Sequence, residues 1–176
     1  MSYLTRFRAE VDTFLKHSPH SPLSREQKHN FKGLSYYDEN KALVLELEAE
    51  LLPLAEPVVE MQTSTGDTRL YRRWGRLHFQ VDGQEASLTI YSDPEGDSGF
   101  FLPFKDATNG KETYGAGRYL DDHRPALTQL GPSRFRVDFN YSYNPYCAYS
   151  ESYSCPLPPA ENWLKVPIRA GEKKFE

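Results

Sequence analysis

Residues 76–90 read RLHFQVDGQEASLTI, a stretch typical of a β-hairpin. Apolar and polar residues alternate over 76–81 and again over 87–90. Because side chains two positions apart lie on the same face of a strand, each half presents one apolar face. Between the halves, Asp82 and Gly83 suit the positive φ angles of a tight type I′ turn. The stretch therefore predicts two antiparallel strands joined by a two-residue turn.

Alternation with a period of two continues on both sides of this hairpin. The further candidate strands are 43–48, 59–63, 69–74, 100–104, 114–120, 134–140 and 165–169. Of these, the strands on either side of Asn109-Gly110 are expected to pair around that turn. About eight to ten short strands with turn residues between them are typical of an antiparallel sandwich or barrel. We therefore predict a mostly β fold, a single antiparallel β-barrel or sandwich.

The N-terminal part of the chain has a helical pattern instead. Apolar residues recur at spacings of three and four over residues 3–17, which predicts an amphipathic helix that a Ser-Pro pair ends. Ser24 and Gln27 have the spacing of a capping box, which predicts a second short helix, and Gly33 ends this unit. Residues 1–33 are thus expected to form an N-terminal helical hairpin.

The 176 residues suit one domain, so we assign residues 1–176 to a single domain. Its β part is expected over 42–176. Within that part, residues 141–163 are too rich in Pro and Tyr for a regular element and predict a long ordered loop. A loop of this length in a compact domain is often functional.

The charge of the chain argues against nucleic acid as a partner. The net charge is −4, whereas nucleic-acid binders usually carry a basic excess. One local cluster comprises four arginines, Arg69, Arg72, Arg73 and Arg76. Strand alternation places residues 69 and 73 on one face and residues 72 and 76 on the other. We interpret the cluster as a solvated edge strand, with an anion site as the alternative.

Membrane association is not expected either. No apolar run approaches the roughly 18 residues that span a bilayer. The N-terminus reads MSYLTRFR and lacks the apolar core of a signal peptide. The sequence therefore predicts a cytoplasmic protein, and it leaves the oligomeric state open.

Two cysteines, Cys147 and Cys155, lie in the long loop. A disulfide between them is possible, although thiols stay reduced in the cytoplasm. Their spacing does not fit a zinc knuckle, which has two to four intervening residues, so no metal is predicted. A nucleophilic Cys147 would need a base such as histidine. We interpret both as small buried residues in a tight loop.

Several long motifs resemble a bacterial and archaeal family known as domain of unknown function family 1684. They are Ser21–Leu23, Phe31–Leu34, Phe101–Asp106, Glu112–Tyr114, Gly117–Leu120, Asp138–Asn140, Asn144–Tyr149, Cys155-Pro156, Glu161-Asn162 and Ala170–Glu172. The resemblance covers nearly the whole chain. It implies a polar apparatus shared by the family and supplies no reaction or cofactor.

The polar residues of these motifs form the predicted site. They are Asp106, Glu112, Arg118, Asp138, Asn140, Asn144, Glu161 and Asn162. Arg118 is the natural partner of a buried acid, because its planar guanidinium binds carboxylates. Alternation places Asp138 and Asn140 on one face of their strand, and Glu112 and Tyr114 on the same face as Arg118. This pattern predicts a polar ligand pocket, and a buried network that fixes the long loop is the alternative.

The leading functional hypothesis is a cytoplasmic domain that binds a small polar ligand. The expected ligand-binding residues are Arg118, Glu112, Asp106, Asn140, Asn144, Tyr114, Tyr143, Tyr146, Cys147 and Asn162. The alternative is a general acid/base enzyme of hydrolase type, in which Asp138 or Glu161 is the base and Arg118 stabilises negative charge. A third alternative is a scaffold protein without a small ligand. The sequence lacks the common nucleophile-elbow, phosphate-loop and zinc-helix motifs, and the cofactor stays unknown.

Overall fold

The structure is a computed structural model that describes residues 1–95 and 99–175. In these ranges two helices precede nine strands. The helices are α1 (Tyr3–His17) and α2 (Arg25–Asn30). The strands are β1 (Val44–Glu48), β2 (Glu50–Leu51), β3 (Val59–Gln62), β4 (Thr68–Val81), β5 (Gln84–Ser92), β6 (Phe101–Phe104), β7 (Arg118–Asp121), β8 (Leu127–Gln129) and β9 (Arg134–Asp138).

The predicted N-terminal helices are confirmed. The Ser24 hydroxyl accepts the N–H of Gln27, and the Gln27 side chain accepts the N–H of Ser24, so the capping box is complete. Helix α2 ends three residues before Gly33, whose φ of 115° turns the chain away. Among the described residues, no helix has the length and apolar character needed to cross a membrane.

The hairpin of residues 76–90 is also confirmed, since it is the long pairing of β4 with β5. Val81 pairs with Gln84, and the turn residues Asp82 and Gly83 have φ angles of 50° and 78°. These two positive angles are those of a type I′ turn. Leu77 and Ile90 are fully buried in the core, as their places in the alternation predict.

All strand pairs are antiparallel, as predicted, and they form two sheets. The smaller sheet has the order β1-β9-β8, and the larger has the order β2-β4-β5-β6-β7 with β3 also beside β4. In the described ranges no ladder closes the larger sheet into a ring. The antiparallel β fold is thus confirmed, while the choice between barrel and sandwich stays a prediction.

The core lies where the two sheets and the C-terminal segment meet. One apolar cluster contains Leu88 and Leu102 of the larger sheet, Phe135 of the smaller sheet, and Ile168. All four are fully buried. Trp74 packs edge-to-face on Phe135, with ring centroids 5.4 Å apart. The C-terminal segment is therefore part of the core, and its backbone is held against the sheets.

Residues 165–169 form no strand, so this prediction is wrong. Pro167 has no N–H, and the neighbouring backbone groups bond outside any ladder. The carbonyl of Val166 accepts the N–H of Ala107 at 3.1 Å, and the N–H of Ile168 donates to the Asp106 carboxylate at 3.0 Å. The backbone of Ala107 and the side chain of Asp106 therefore replace the strand partner that the alternation predicted.

The predicted pair around Asn109-Gly110 is only partly correct. β6 pairs with β7, but β7 begins at Arg118, and a loop of turns fills residues 105–117. The side-chain amide of Asn109 accepts the N–H of Asp106 and donates to the carbonyl of Tyr114 within this loop. Glu112 is consequently in a loop, and the prediction that it shares a strand face with Arg118 is wrong.

The interpretation of the arginine cluster as an edge strand is wrong as well. β4 has β5 on one side and β2 or β3 on the other. A bulge between Arg73 and Gly75 shifts its register by one residue. Because a bulge reverses the alternation beyond it, Arg73 and Arg76 both reach Glu161, at 2.9 and 3.5 Å. These two arginines were expected on opposite faces.

Candidate functional site

Arg118 and Asp106 form a fully buried ion pair. The guanidinium is 1% exposed, and its Nη2 lies 2.9 Å from Oδ2 of Asp106. The same guanidinium donates to the backbone carbonyls of Ile168, Ala170 and Glu172. Asp106 accepts in turn from Ile168 and from both the N–H and the hydroxyl of Thr108. The bonding groups of this pair are thus occupied by the protein itself.

The consequence of this pair is a fixed C-terminal segment. The carbonyls of every second residue, 168, 170 and 172, accept hydrogen bonds from the Arg118 guanidinium. This arrangement fixes the C-terminal segment together with its backbone bonds to Ser35, Tyr37 and Ser142, and it helps to set where the side chain of Glu172 points. Arg118 is therefore a positioning residue in this structure.

Glu172 points into a cavity between α1, the long loop and the C-terminal segment, which we call the helix–loop cavity. Its volume is about 270 Å³. Its lining residues are Phe7, Glu10, Val11, Phe14, Leu15, Arg124, Asn144, Tyr146, Tyr149 and Glu172. The α1 residues recur at spacings of three and four, so one stripe of the amphipathic helix supplies the apolar wall. The other wall is polar and aromatic.

The Glu172 carboxyl is the most buried acid of this cavity, with 2% of the residue exposed. Its Oε1 accepts the Tyr149 hydroxyl at 2.8 Å and the N–H of Asn144 at 3.2 Å. Its Oε2 lies 3.7 Å from Nη1 of Arg124. Burial raises the pKa of Glu172, while Arg124 and the hydrogen bonds from Tyr149 and Asn144 act in the opposite direction.

Arg124 is held over aromatic rings at the side of the cavity. Its guanidinium carbon lies 3.8 Å from the ring centroid of Tyr143 and 5.4 Å from that of Phe7. The Tyr143 hydroxyl donates to Asp121, which fixes the ring. The Arg124 side chain is 22% exposed, so it remains open to an anionic or polar group.

Asn144 lies on the inner wall with one polar atom unused. Its Nδ2 donates to the carbonyl of Lys173 at 3.0 Å, which sets the orientation of the amide. Its Oδ1 is buried and has no hydrogen-bond partner among the described residues. Because a buried acceptor without a partner costs free energy, such an atom calls for an explanation, and a bound hydrogen-bond donor is one.

Replacing Glu172 with glutamine tests the electrostatics of this site through the pH dependence of stability. A carboxyl with a raised pKa contributes stability below its unfolded pKa, and this contribution is lost as pH rises through the folded pKa. We therefore expect Glu172→Gln to gain stability relative to wild type as pH rises from about 4 to about 8. Urea midpoints of both proteins across this range measure the difference. A constant difference would mean that Arg124 and the hydrogen bonds balance burial, and one of opposite slope would mean that they outweigh it.

The other predicted acids lie elsewhere. Glu161 contacts Arg73 and Arg76 and accepts the Tyr91 hydroxyl, with its side chain 22% exposed. Glu112 is a partly exposed acid that pairs with Arg169 at 3.2 Å and accepts the Tyr37 hydroxyl. Neither residue lines the helix–loop cavity.

Asp138 and Asn140 contact each other, but the prediction that they share one face of a strand is wrong, because β9 ends at Asp138. Oδ1 of Asp138 accepts both the N–H and the side-chain amide of Asn140 at 3.0 Å, where β9 runs into the three-ten helix of residues 139–141. Asn140 also bonds the backbone of Asn40 in both directions. This geometry is that of a helix cap that ties two segments together.

Asn162 and Tyr114 lie outside the lining of the helix–loop cavity, at two separate positions. Asn162 is fully buried and bonds the backbone of Thr89 and Pro103, so it joins the long loop to the larger sheet. The Tyr114 hydroxyl lies 3.5 Å from Sγ of Cys147.

Of the predicted binding residues, Asn144 and Tyr146 line the helix–loop cavity, and Tyr143 supports Arg124 beside it.

Of the ten lining residues, the sequence assigned only Asn144 and Tyr146 to a site; Glu172, Tyr149 and Arg124 are among those it missed. Glu172 and Tyr149 both belong to the motifs that resemble the family, and this membership could have marked them as site residues. Arg124 lies outside the motifs, in a turn between β7 and β8, and no sequence pattern marks it.

Comparisons with known proteins support the resemblance seen in the motifs. The family described as "Protein of unknown function (DUF1684)" matches residues 29–173. An uncharacterised protein of Haloarcula marismortui, solved by solution NMR, is 33% identical with a TM-score of 0.70. The alignment covers 97% of this chain and 91% of that one. Among curated proteins, none matches the chain.

Proposed function

We propose that this chain, which belongs to the family described as protein of unknown function (DUF1684), binds a small amphipathic molecule in the helix–loop cavity. The observation that carries the proposal is the unpartnered Oδ1 of Asn144 in the cavity wall. A hydroxyl, amide or amine of a ligand would donate to this atom. Glu172 lies beside it and offers a second acceptor.

The shape and lining of the cavity define the ligand further. A volume of about 270 Å³ is slightly below the usual range for drug-sized ligands, roughly 300–1,000 Å³, which favours a small molecule. Phe7, Val11 and Leu15 would pack on its apolar part, and Tyr146 offers a flat wall. Arg124 at the side would donate to a carboxylate or carbonyl oxygen. The ligand class is thus a small aliphatic or aromatic compound with a hydrogen-bond donor.

Blocking the cavity from its apolar side tests this proposal without touching the polar network. Val11→Trp places a large side chain in the cavity, so we expect it to weaken binding of amide, amine and hydroxyl fragments by at least about tenfold. Binding is measured by thermal shift and by NMR titration of wild type and variant. Leu54→Trp is the matched control, because Leu54 is 75% exposed and outside the cavity.

Two outcomes would contradict the proposal. One is equal binding of the same fragments by Val11→Trp and wild type. The other is that no fragment of these three classes binds wild type at millimolar concentration.

An enzyme is the second candidate, because the cavity holds two acids in unlike surroundings. Glu172 is buried and Glu10 is exposed, and such pairs can divide the roles of acid and base. Conversion of a bound fragment during the NMR titration would favour this candidate over simple binding. The acids differ from Asp138 and Glu161, which the sequence suggested. A cytoplasmic location stays part of the proposal.

A further inference from the structure

Cys147 and Cys155 meet in the long loop, although neither lines the helix–loop cavity. Cys147 lies in the three-ten helix of residues 146–148, and Cys155 starts the extended stretch that bonds Ser64. The N–H of Cys147 donates to Sγ of Cys155 at 3.3 Å. Because the amide nitrogen of Cys147 is only two bonds from its own Cβ, this contact places the two side chains next to each other. Both are thiols in the structure.

The two sulfurs have different surroundings. Cys147 is half-buried, and its Sγ lies 3.5 Å from the hydroxyl of Tyr114. Cys155 is buried, with 8% of the residue exposed. Hydrogen bonds from Cys155 and Tyr114 stabilise the thiolate and lower the pKa of Cys147 to about 6. The pKa of Cys155 is raised, because its proton is shared with Cys147 and because it is buried.

We propose that Cys147 and Cys155 form a thiol–disulfide exchange site that reacts with small disulfides. The half-buried Cys147 is the attacking thiol, and the buried Cys155 resolves the product. Tyr114 holds the attacking sulfur in its thiolate form through its hydroxyl. This site is independent of ligand binding in the helix–loop cavity.

The reaction needs a small disulfide as the oxidant and balances in two steps. The Cys147 thiolate attacks one sulfur of the small disulfide, so a mixed disulfide forms and one small thiolate leaves. Cys155 loses its proton to solvent and attacks Sγ of Cys147, so the intramolecular bond forms and the second small thiolate leaves. Each of the two small thiolates that are released takes up a proton from solvent according to its own pKa. The protein loses two electrons, and the small disulfide is reduced to two thiols.

The spacing of the loop suits this closure. Residues 150–154 turn the chain back, and the hydroxyl of Ser64 accepts the N–H of Cys155 at 3.1 Å. Cys155 is thereby fixed from the sheet side, while the three-ten helix fixes Cys147. The contact between the N–H of Cys147 and Sγ of Cys155 keeps the two side chains adjacent, which favours formation of a bond between them.

Intact-mass measurement with oxidised glutathione as the probe tests the site. Reduced wild type is expected to lose two hydrogens and to carry no glutathione. Cys155→Ser is expected to retain one glutathione on Cys147, because the resolving thiol is absent. Cys147→Ser is the matched control and is expected to react at least about tenfold more slowly, since only the buried thiol remains. Circular dichroism melts show whether each variant is folded.

The pH dependence of the rate gives a second readout. We expect reduced wild type to react at half its maximal rate near pH 6, against about 8.5 for an ordinary cysteine. Tyr114→Phe should move this midpoint upward, because it removes one hydrogen bond to the thiolate. The proposal is overturned if wild type stays reduced or keeps a stable glutathione adduct. Equal rates for Cys147→Ser and Cys155→Ser would overturn it as well.

Discussion

Replacing Arg118 with methionine is expected to lower the free energy of unfolding by about 3–5 kcal/mol. The variant leaves the Asp106 carboxylate buried without its charged partner. It also removes the donors that three backbone carbonyls of the C-terminal segment accept. Urea unfolding followed by tryptophan fluorescence measures the loss. An effect of this size would identify the pair as the part of the polar network that holds the fold.

Two further variants make this prediction specific. Arg169→Met breaks an exposed pair with Glu112 and should leave the urea midpoint nearly unchanged. The double variant Asp106→Leu with Arg118→Met should recover part of the lost stability, because it leaves no unpaired buried charge. If Arg118→Met alone melted unchanged or higher, Arg118 would be held for a ligand at a cost in stability, as the sequence hypothesis required.

Replacing Gly171 with alanine is expected to cost roughly 2–6 kcal/mol, since backbone strain and overpacking each cost about 1–3 kcal/mol. Gly171 has a φ of 81°, which an L side chain rarely adopts. A Cβ there would lie 2.6 Å from the carbonyl oxygen of Ser142 and 2.9 Å from that of Phe139. These contacts are backbone and cannot move aside. The displaced chain would carry Glu172 out of the helix–loop cavity, so fragment binding should fall with stability.

Gly66→Ala is the matched control for this variant. Gly66 also has a positive φ, 93°, but a Cβ there would meet no atom within 4 Å. It should therefore cost only the conformational penalty of about 1–2 kcal/mol. Equal urea midpoints for the two variants would show that the contact with Ser142 yields easily and that Gly171 does not set the position of Glu172.

The sequence predicted correctly where contacts are local. Helix α1 follows from an apolar stripe within 15 residues, and the turn at Asp82 and Gly83 follows from two adjacent side chains. It also predicted that Arg118 would pair with a buried acid, because a buried carboxylate requires such a partner. These inferences need only the residue types and their spacing.

Prediction failed where a distant group replaced the expected partner. Residues 165–169 have the alternation of a strand, yet Asp106 and Arg118 satisfy their backbone. The bulge between Arg73 and Gly75 reversed the faces of β4 beyond it. The sequence pattern does not show where one strand carries an extra residue that its partner strand lacks. In both cases the sequence had the alternation of a strand, but the hydrogen-bond pairing differed from the regular ladder that this alternation predicts.

By itself the sequence determined the helical hairpin, the antiparallel β class, the family and the need for buried polar partners. Only the tertiary structure decided which polar residues share a site. The helix–loop cavity joins α1, Arg124, Asn144, Tyr149 and Glu172, which are separated by most of the chain. Their meeting depends on how α1 packs and on where the Arg118 pair holds the C-terminal segment. The physical reason is that periodicity reports the face of an element, whereas a site depends on contacts between elements far apart in sequence.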